Sequence, residues 1–310
     1  MIADLSPLGT SAIAALINVA CVLAIGPLLD GIMRKVTARI QSRKGPPLAQ
    51  SYLDLLKLLG KEDIQSGEVP AVQRAAATVA LASVLLAACL TPMGFGAPLA
   101  RYADGIVLLY VLTLCGLATA VAGLAAGSTY SVIGVSREMM AMMLLEPLFA
   151  VAVVAGALRI PSLNLNDLLS GSVYSDGAPW SGVALLVVMI RAFQAYAQRQ
   201  PFDTTEAETE IMDGPLVEYS GPKLAMLKWA GMSRLVVYGS LFIGLFVPWG
   251  SGLAVYYAWP LHWAKLLVLV LIVCVTATVH ARVRMDQALS RYAGLLSVSL
   301  LALVLAAVGY

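Results

Sequence analysis

The sequence predicts an all-α polytopic membrane protein of about eight transmembrane helices, and three observations carry that prediction. Sixty per cent of the 310 residues are hydrophobic and only 12% are charged, with a mean hydropathy of +0.84, whereas a soluble domain of this size exposes far more charge. The stretches Leu5–Leu29, Ala75–Ala100, Gly105–Ser136 and Leu235–Leu261 each carry no Asp, Glu, Lys or Arg over at least 25 positions, and about 20 residues of helix cross the hydrocarbon core. None of these runs alternates polar and apolar residues at every second position, as the strands of a membrane barrel do.

The elements follow in chain order, as one integral membrane domain over 1–310. The first apolar stretch lacks a basic leader and is long enough to span, so it reads as a retained helix over 8–33. A loop over 34–70 comes next, where Gly45, Pro46 and Pro47 interrupt any helix. Beyond them Leu48, Tyr52, Leu55 and Leu59 recur at helical spacing, while Gln50, Asp54, Lys57 and Lys61 lie elsewhere. That pattern predicts a short amphipathic helix at the membrane surface or against a partner. Further spans are expected over 71–91, 104–127, 139–159 and 180–198. An acidic loop over 199–230 precedes the last three, at 231–249, 262–282 and 291–309.

Basic residues set the orientation. The odd-numbered connections and their edges hold sixteen Lys and Arg, against Arg101, Arg159 and Lys265 on the other side. The positive-inside rule then places the odd connections in the cytoplasm and both termini outside. Metal chemistry finds little support. Cys21, Cys89, Cys115 and Cys274 are isolated within apolar helices, no CxxC occurs, and His262 and His280 lie 18 positions apart. Iron–sulfur, zinc or haem ligation by this chain is therefore not expected, and the thiols read as small core residues.

Among the ionisable residues inside predicted spans, Asp30, Glu146 and Arg191 stand out. A charge at bilayer depth costs about 2.5–3.5 kcal/mol on insertion scales, so such residues face a bundle interior or an aqueous path. Glu146 is mid-span and followed by Pro147, whose missing donor marks a distorted, often functional, segment of helix. Glu138 lies eight positions earlier on nearly the same side, so the two are candidates for the mouth and midpoint of one proton or ion path. Asp30 and Arg191 lie nearer the cytoplasmic ends of their spans. Each can snorkel, and an Asp30–Arg191 pair is one arrangement open to them.

The densest acid lies in QPFDTTEAETEIMDGPLVEYSG, Gln200–Gly221, with Asp203, Glu206, Glu208, Glu210, Asp213 and Glu218. If the chain is helical after Pro201, then Asp203, Glu206, Glu210 and Asp213 fall within an arc of about 80° and Glu208 points the other way, at 3.6 residues per turn. Crowded carboxylates raise one another's pKa values, which suits proton exchange near neutral pH. An ordinary solvated acidic face and a partner-binding face satisfied by neighbouring arginines are the other readings.

These residues also carry a family resemblance. PFDTTEAETEIMDGPLVEYSG, ARIQSRKGP in the first loop and SREMMAMMLLEP in the fourth span, with Arg137 nine positions before Glu146, are all present. Together they resemble the subunit 1 family of respiratory complex I and its relatives in membrane-bound, energy-converting nickel–iron hydrogenases. In complex I the acidic loop usually continues into a VSGFN-like segment. IMDGPLVEYSG and the GPP of the first loop look instead like the hydrogenase branch, including hydrogenases linked to formate or carbon monoxide oxidation.

The resemblance implies a membrane anchor and coupling subunit in a prokaryotic cytoplasmic (inner) membrane, driving proton or sodium translocation. Asp203, Glu206, Glu208, Glu210, Asp213 and Glu218 would form a cytoplasmic funnel. Glu138 and Glu146 would belong to the path towards antiporter-like subunits, while Asp30 and Arg191 are candidates for the ion path by their place inside spans. Arg39, Arg43, Lys44, Gly45, Pro46 and Arg137 would face partners, namely the hydrogenase large subunit and the small iron–sulfur subunit. A carbon monoxide or formate dehydrogenase module would complete the assembly in that branch. The nickel–iron centre and iron–sulfur clusters would sit in partner subunits, with no catalytic, cofactor or metal residue in this chain and no nucleic-acid partner. The alternatives are a quinone-chamber subunit of NADH:quinone oxidoreductase and, from another class, a stand-alone ion transporter.

Overall fold

A computed structural model describes residues 7–64, 69–169, 179–250 and 253–309. The described residues form eleven α-helices: α1 (Pro7–Ile40), α2 (Gln50–Leu59), α3 (Pro70–Leu90), α4 (Gly105–Ala125), α5 (Thr129–Arg159), α6 (Leu165–Leu168), α7 (Trp180–Tyr196), α8 (Glu208–Ile211), α9 (Gly221–Phe246), α10 (Val255–Val279) and α11 (Met285–Val308). Seven of them, α1, α3, α4, α5, α9, α10 and α11, are long and apolar enough to cross a membrane. The eighth expected span is α7, an apolar helix of 17 residues, at the short end of the spanning range. The fold is that of an all-α, multi-pass membrane protein.

The largest departures from the expected spans are three helices that run beyond them. α1 continues through Arg34 and Arg39 to Ile40, α5 begins at Thr129 and α9 begins at Gly221. At 1.5 Å per residue α5 is about 46 Å long, against a hydrocarbon core of about 30 Å. Arg137, Glu138, Lys228 and Arg234 therefore lie on helices, whereas hydropathy places them on connections or span edges. Helical hydrogen bonding continues where hydrophobicity stops, because an end that protrudes from the core packs on protein.

α9 is the most enclosed of the candidate spans and α11 the least. α9 packs against α1, α2, α3, α7 and α10, α3 lies against α4, and α11 lies against α5 and α7. Small residues allow these contacts: Ala76, Ala77, Ala80, Ala87 and Ala88 of α3 are all buried, and close backbone approach is the main source of attraction between helices in lipid. Large apolar side chains such as Leu16, Met143, Val268 and Leu301 are exposed on the outside, as a lipid-facing surface requires. α2 lies on α1 and α9 with Ser51 and Leu55 buried. Its Leu53, Leu56 and Leu59 are exposed, so the buried side is not the Leu48–Tyr52–Leu55–Leu59 row that the spacing suggests.

The acidic segment departs most from expectation. Residues 201–207 are turns and bends, and only Glu208–Ile211 is helical before the 3-10 turn Gly214–Leu216. The single helix over 203–213, with its four-carboxylate arc, does not form. The DGP sequence explains why. Gly214 has φ +54, a left-handed conformation open to glycine and costly to most residues. A methyl group there would lie 2.2 Å from the Thr205 carbonyl oxygen. Pro215 in turn packs on α5 so closely that a methyl on Gly134 would lie 2.7 Å from its Cδ. The Tyr219 hydroxyl then donates to the Ala122 carbonyl of α4 at 2.8 Å. The loop is thus folded onto α4 and α5 by backbone approach.

Candidate functional site

Two cavities lie beside the C-terminal end of α7. The inner one, about 50 Å³, is lined by Glu138 and Glu146 of α5, Tyr196 of α7, Thr204 and Thr205 of the loop, Arg234 and Tyr238 of α9, and Tyr292 of α11. The outer one, about 600 Å³, is lined by Asp30 and Arg34 of α1, Arg43 and Pro46 of the first loop, Arg199, Asp203, Glu206 and Asp213 of the acidic segment, and Lys228 of α9. Among the described residues, Gln198 alone lines both.

In the inner cavity, the Gln198 amide donates from Nε2 to both carboxylate oxygens of Glu138, at 2.9 and 2.8 Å. Arg234 Nη1 lies 3.8 Å from the same carboxylate, with both side chains largely buried. A buried charge needs a partner, and Glu138 has a cation and two N–H···O contacts. Glu146 lies two turns deeper along α5, half-buried beside a ring cluster. Tyr196 and Tyr238 stack with centroids 4.8 Å apart, and Phe149 meets both edge-on. α5 stays helical through Pro147, and the Tyr196 hydroxyl donates to the Leu145 carbonyl.

The outer chamber is organised around Asp30, which is 1% exposed. It accepts from Arg34 Nε at 2.8 Å, from Ser51 Oγ at 2.9 Å and from Arg199 Nη2. Asp30 therefore pairs with Arg34 and Arg199, and the suggested Asp30–Arg191 pair is not made. Arg191 is exposed on α7 and lines neither cavity. Across the chamber Asp203 is held by Arg282 at 2.7 Å. Burial, then the neighbouring Asp203 charge, raises the Glu206 carboxyl to about 7, against the opposing pull of Arg234 and Arg199. A carboxyl poised there exchanges protons at neutral pH.

The remaining candidates fall outside the two cavities or at their rims. Glu210 is exposed and bonded to Arg137 Nη1 at 2.6 Å, and the same guanidinium donates to the Thr204 carbonyl at 3.3 Å. Arg137, expected against a partner, is thus engaged with its own chain's loop. Glu218 is half-buried and lines neither cavity. The side chain of Glu208 lies outside the described residues. Arg39, Lys44 and Gly45 are exposed next to the chamber mouth, where Arg43 and Pro46 form part of its lining.

Sequence reading missed Gln198, Arg199, Tyr196, Tyr238, Thr204 and Thr205 as site residues. Only Gln198 and Arg199 carried a signal, as polar residues between an apolar helix and the PFD motif. Tyrosines and threonines in apolar helices and turns look like packing until the fold places them in the lining of one cavity with two carboxylates.

The NADH dehydrogenase family model matches residues 12–307. Formate hydrogenlyase subunit 4 of Escherichia coli K12 is 33% identical over 281 residues, covering 87% of this chain and 91% of that protein. Hydrogenase-4 component C of the same organism is 33% identical over 243 residues, 78% of this chain and 77% of that protein. An NADH-quinone oxidoreductase subunit of Brevibacillus brevis is 35% identical over 254 residues, 76% and 74% of the two. Among solved structures, a chain of the membrane-bound sulfane sulfur reductase, an archaeal respiratory membrane complex, superposes with a TM-score of 0.85 at 24% identity, over 96% of this chain and 99% of that one.

Proposed function

Because the chain belongs to the NADH dehydrogenase family, we propose that it is the membrane anchor and coupling subunit of an energy-converting nickel–iron hydrogenase complex. It links proton reduction in a peripheral arm to proton or sodium translocation in the membrane. The hydrogenase branch is supported by the two relatives from formate hydrogenlyase and hydrogenase-4 and by the DGPLVEYSG wording of the acidic segment. The large and small iron–sulfur subunits, which hold the redox centres in this reading, dock on the exposed basic surface of Arg39, Arg43 and Lys44. Antiporter-like membrane subunits lie beyond Glu146, and a formate or carbon monoxide dehydrogenase module supplies electrons. The chain resides in the prokaryotic cytoplasmic membrane with both termini outside.

The observation that carries this reading is the juxtaposition of the two cavities: ionisable groups run from the outer chamber (Asp30, Asp203, Glu206) to the inner one (Glu138, Glu146). A redox event beside the chamber mouth alters charge there. The acids pass that change inward by taking up or releasing protons. Moving one elementary charge against 100 mV requires about 2.3 kcal/mol, so each transfer has to shift site energies by at least this amount. The test is Glu146→Gln in the purified complex reconstituted into liposomes. Hydrogen evolution should persist while ion translocation falls several-fold, and normal pumping by this variant would remove Glu146 from the path.

A second reading, a quinone-binding subunit of NADH:quinone oxidoreductase, draws on the size of the outer chamber, about 600 Å³, and on the NADH-quinone oxidoreductase relative. Quinone retained by the isolated complex, or inhibition by quinone analogues, would favour it.

A further inference from the structure

Two consecutive residues reach carboxylates in different cavities. Gln198 donates both of its contacts to Glu138 in the inner cavity, and Arg199 holds Asp30 in the outer chamber. The backbone is bent to achieve this: Gln198 has φ +49, a left-handed conformation unfavourable for a residue with a β-carbon. The turn is fixed on either side. Gln198 N donates to the Ala195 carbonyl at 3.0 Å and Arg199 N to the Gln194 carbonyl at 3.4 Å, while the Gln194 side chain donates to the Val273 carbonyl of α10 at 3.1 Å. Strain that persists under such constraints has to be held by the surrounding contacts, and here it aims one amide at one carboxylate.

We propose that Gln198 is the gate between the two cavities: its amide latches Glu138, and protons from the outer-chamber acids reach Glu138 and Glu146 only when that latch is released. The proposal rests on the coupling reading above and assigns its control point. A carboxamide donates hydrogen bonds but does not pass protons readily, unlike a hydroxyl or water. Latched, it covers the Glu138 oxygens without serving as a relay. The hydroxyls of Thr204 and Thr205 stand beside it, buried and without a hydrogen-bond partner in the structure, and the inner cavity has room for water. On release, a proton leaves the Glu206 acid, crosses these hydroxyls and water, and joins the Glu138 carboxylate. Glu206 is left ionised and Glu138 neutral, so charge balances. Arg199 joins the gate to the redox side, because a change in charge around Asp30 pulls on the residue next to Gln198.

Gln198→Met keeps the length of the side chain and removes its N–H groups. In the reconstituted complex, electron turnover should stay within about two-fold of wild type. Protons moved per electron should fall at least two-fold, and passive proton leak with the electron donor withheld should rise several-fold. An unchanged ratio and leak overturn the gate, and so does a loss of transport that only parallels a loss of electron turnover. A second measurement needs no variant. A hydrophilic carbodiimide with an amine nucleophile, applied to the idle wild-type complex and mapped by mass spectrometry, should modify Glu206 several-fold faster than Glu138, and turnover should narrow the difference. Equal rates in the idle complex overturn the proposal. The broader coupling reading is tested by a different result, Glu146→Gln, where normal pumping removes Glu146 from the path.

Discussion

Arg137 Nη1 lies 2.6 Å from Glu210 Oε2, so the helix that carries Glu138 and Glu146 is tied directly to the acidic loop. Arg137 is partly buried and Glu210 is exposed, and solvent-screened pairs contribute about 0–1 kcal/mol. The value of the contact is positional, because the same guanidinium also holds the Thr204 carbonyl. Arg137→Ala should change thermal stability by no more than about 1 kcal/mol. It should nevertheless speed amide hydrogen exchange over 203–213, read by mass spectrometry on the assembled complex. Unchanged exchange there would mean that the loop is positioned by Gly214 and Pro215 alone.

Asp30 should be far less replaceable than Asp54, although both contact Arg34. Removing one partner of a buried ion pair costs about 3–5 kcal/mol. Arg34 and Arg199 are 43% and 41% exposed, and solvent screening reduces the expectation for Asp30→Ala to about 1–3 kcal/mol. Asp54, itself 44% exposed, should cost about 1 kcal/mol or less on replacement. Denaturation midpoints of the two variants in detergent compare them directly, and equal losses would contradict the assignment of Asp30 as the organising charge.

Glu206 should titrate near neutrality. Its carboxyl is raised from 4.5 to about 7, by burial first and the Asp203 charge second. Between these values the folded chain keeps a proton that the unfolded chain has lost, so stability declines as pH rises from about 4.5 towards 7. Glu206→Gln should remove that slope, together with a protonated-carboxyl infrared band that titrates near pH 7. Asp203→Asn should move the midpoint below 7 without restoring 4.5, because burial is the larger cause.

Gly214→Ala tests the DGP turn. It places a β-carbon at φ +54 and 2.2 Å from the Thr205 carbonyl, so the 204–216 segment has to shift. A loss of more than about 1 kcal/mol is expected, with altered protons per electron, since Thr205 lines the inner cavity. The control is Gly127→Ala, also at positive φ but with nothing within 4 Å of the added methyl. It should keep the transport ratio, as read in the same liposome assay.

Much of the membrane fold was legible because lipid imposes a simple rule on composition: charge-free runs of at least 25 residues can hardly be anything but spans. Boundaries were less legible. α5 and α9 each continue about ten residues beyond their expected spans, and the hydrogen-bonded ladder is indifferent to polarity. The site was half legible. Glu138 and Glu146 stood out because a carboxylate in an apolar helix is costly. The acidic loop was visible by its charge, but its helical arc was wrong, since a periodicity rule cannot register a left-handed glycine pressed against another segment's carbonyl.

Local chemistry read along the chain was enough to determine a multi-pass helical protein, acids set inside or beside apolar helices, and motifs shared with one family. Only the tertiary structure decided which charges meet. Asp30 joined Arg199 across 169 positions instead of Arg191, and Gln198, a polar residue whose target the sequence does not show, became the residue shared by two cavities. The physical reason is that electrostatic and hydrogen-bond energies depend on separations of a few ångströms. Those separations are set by the packing of α9 on α1 and α7, and of α7 on α5, and not by spacing along the chain.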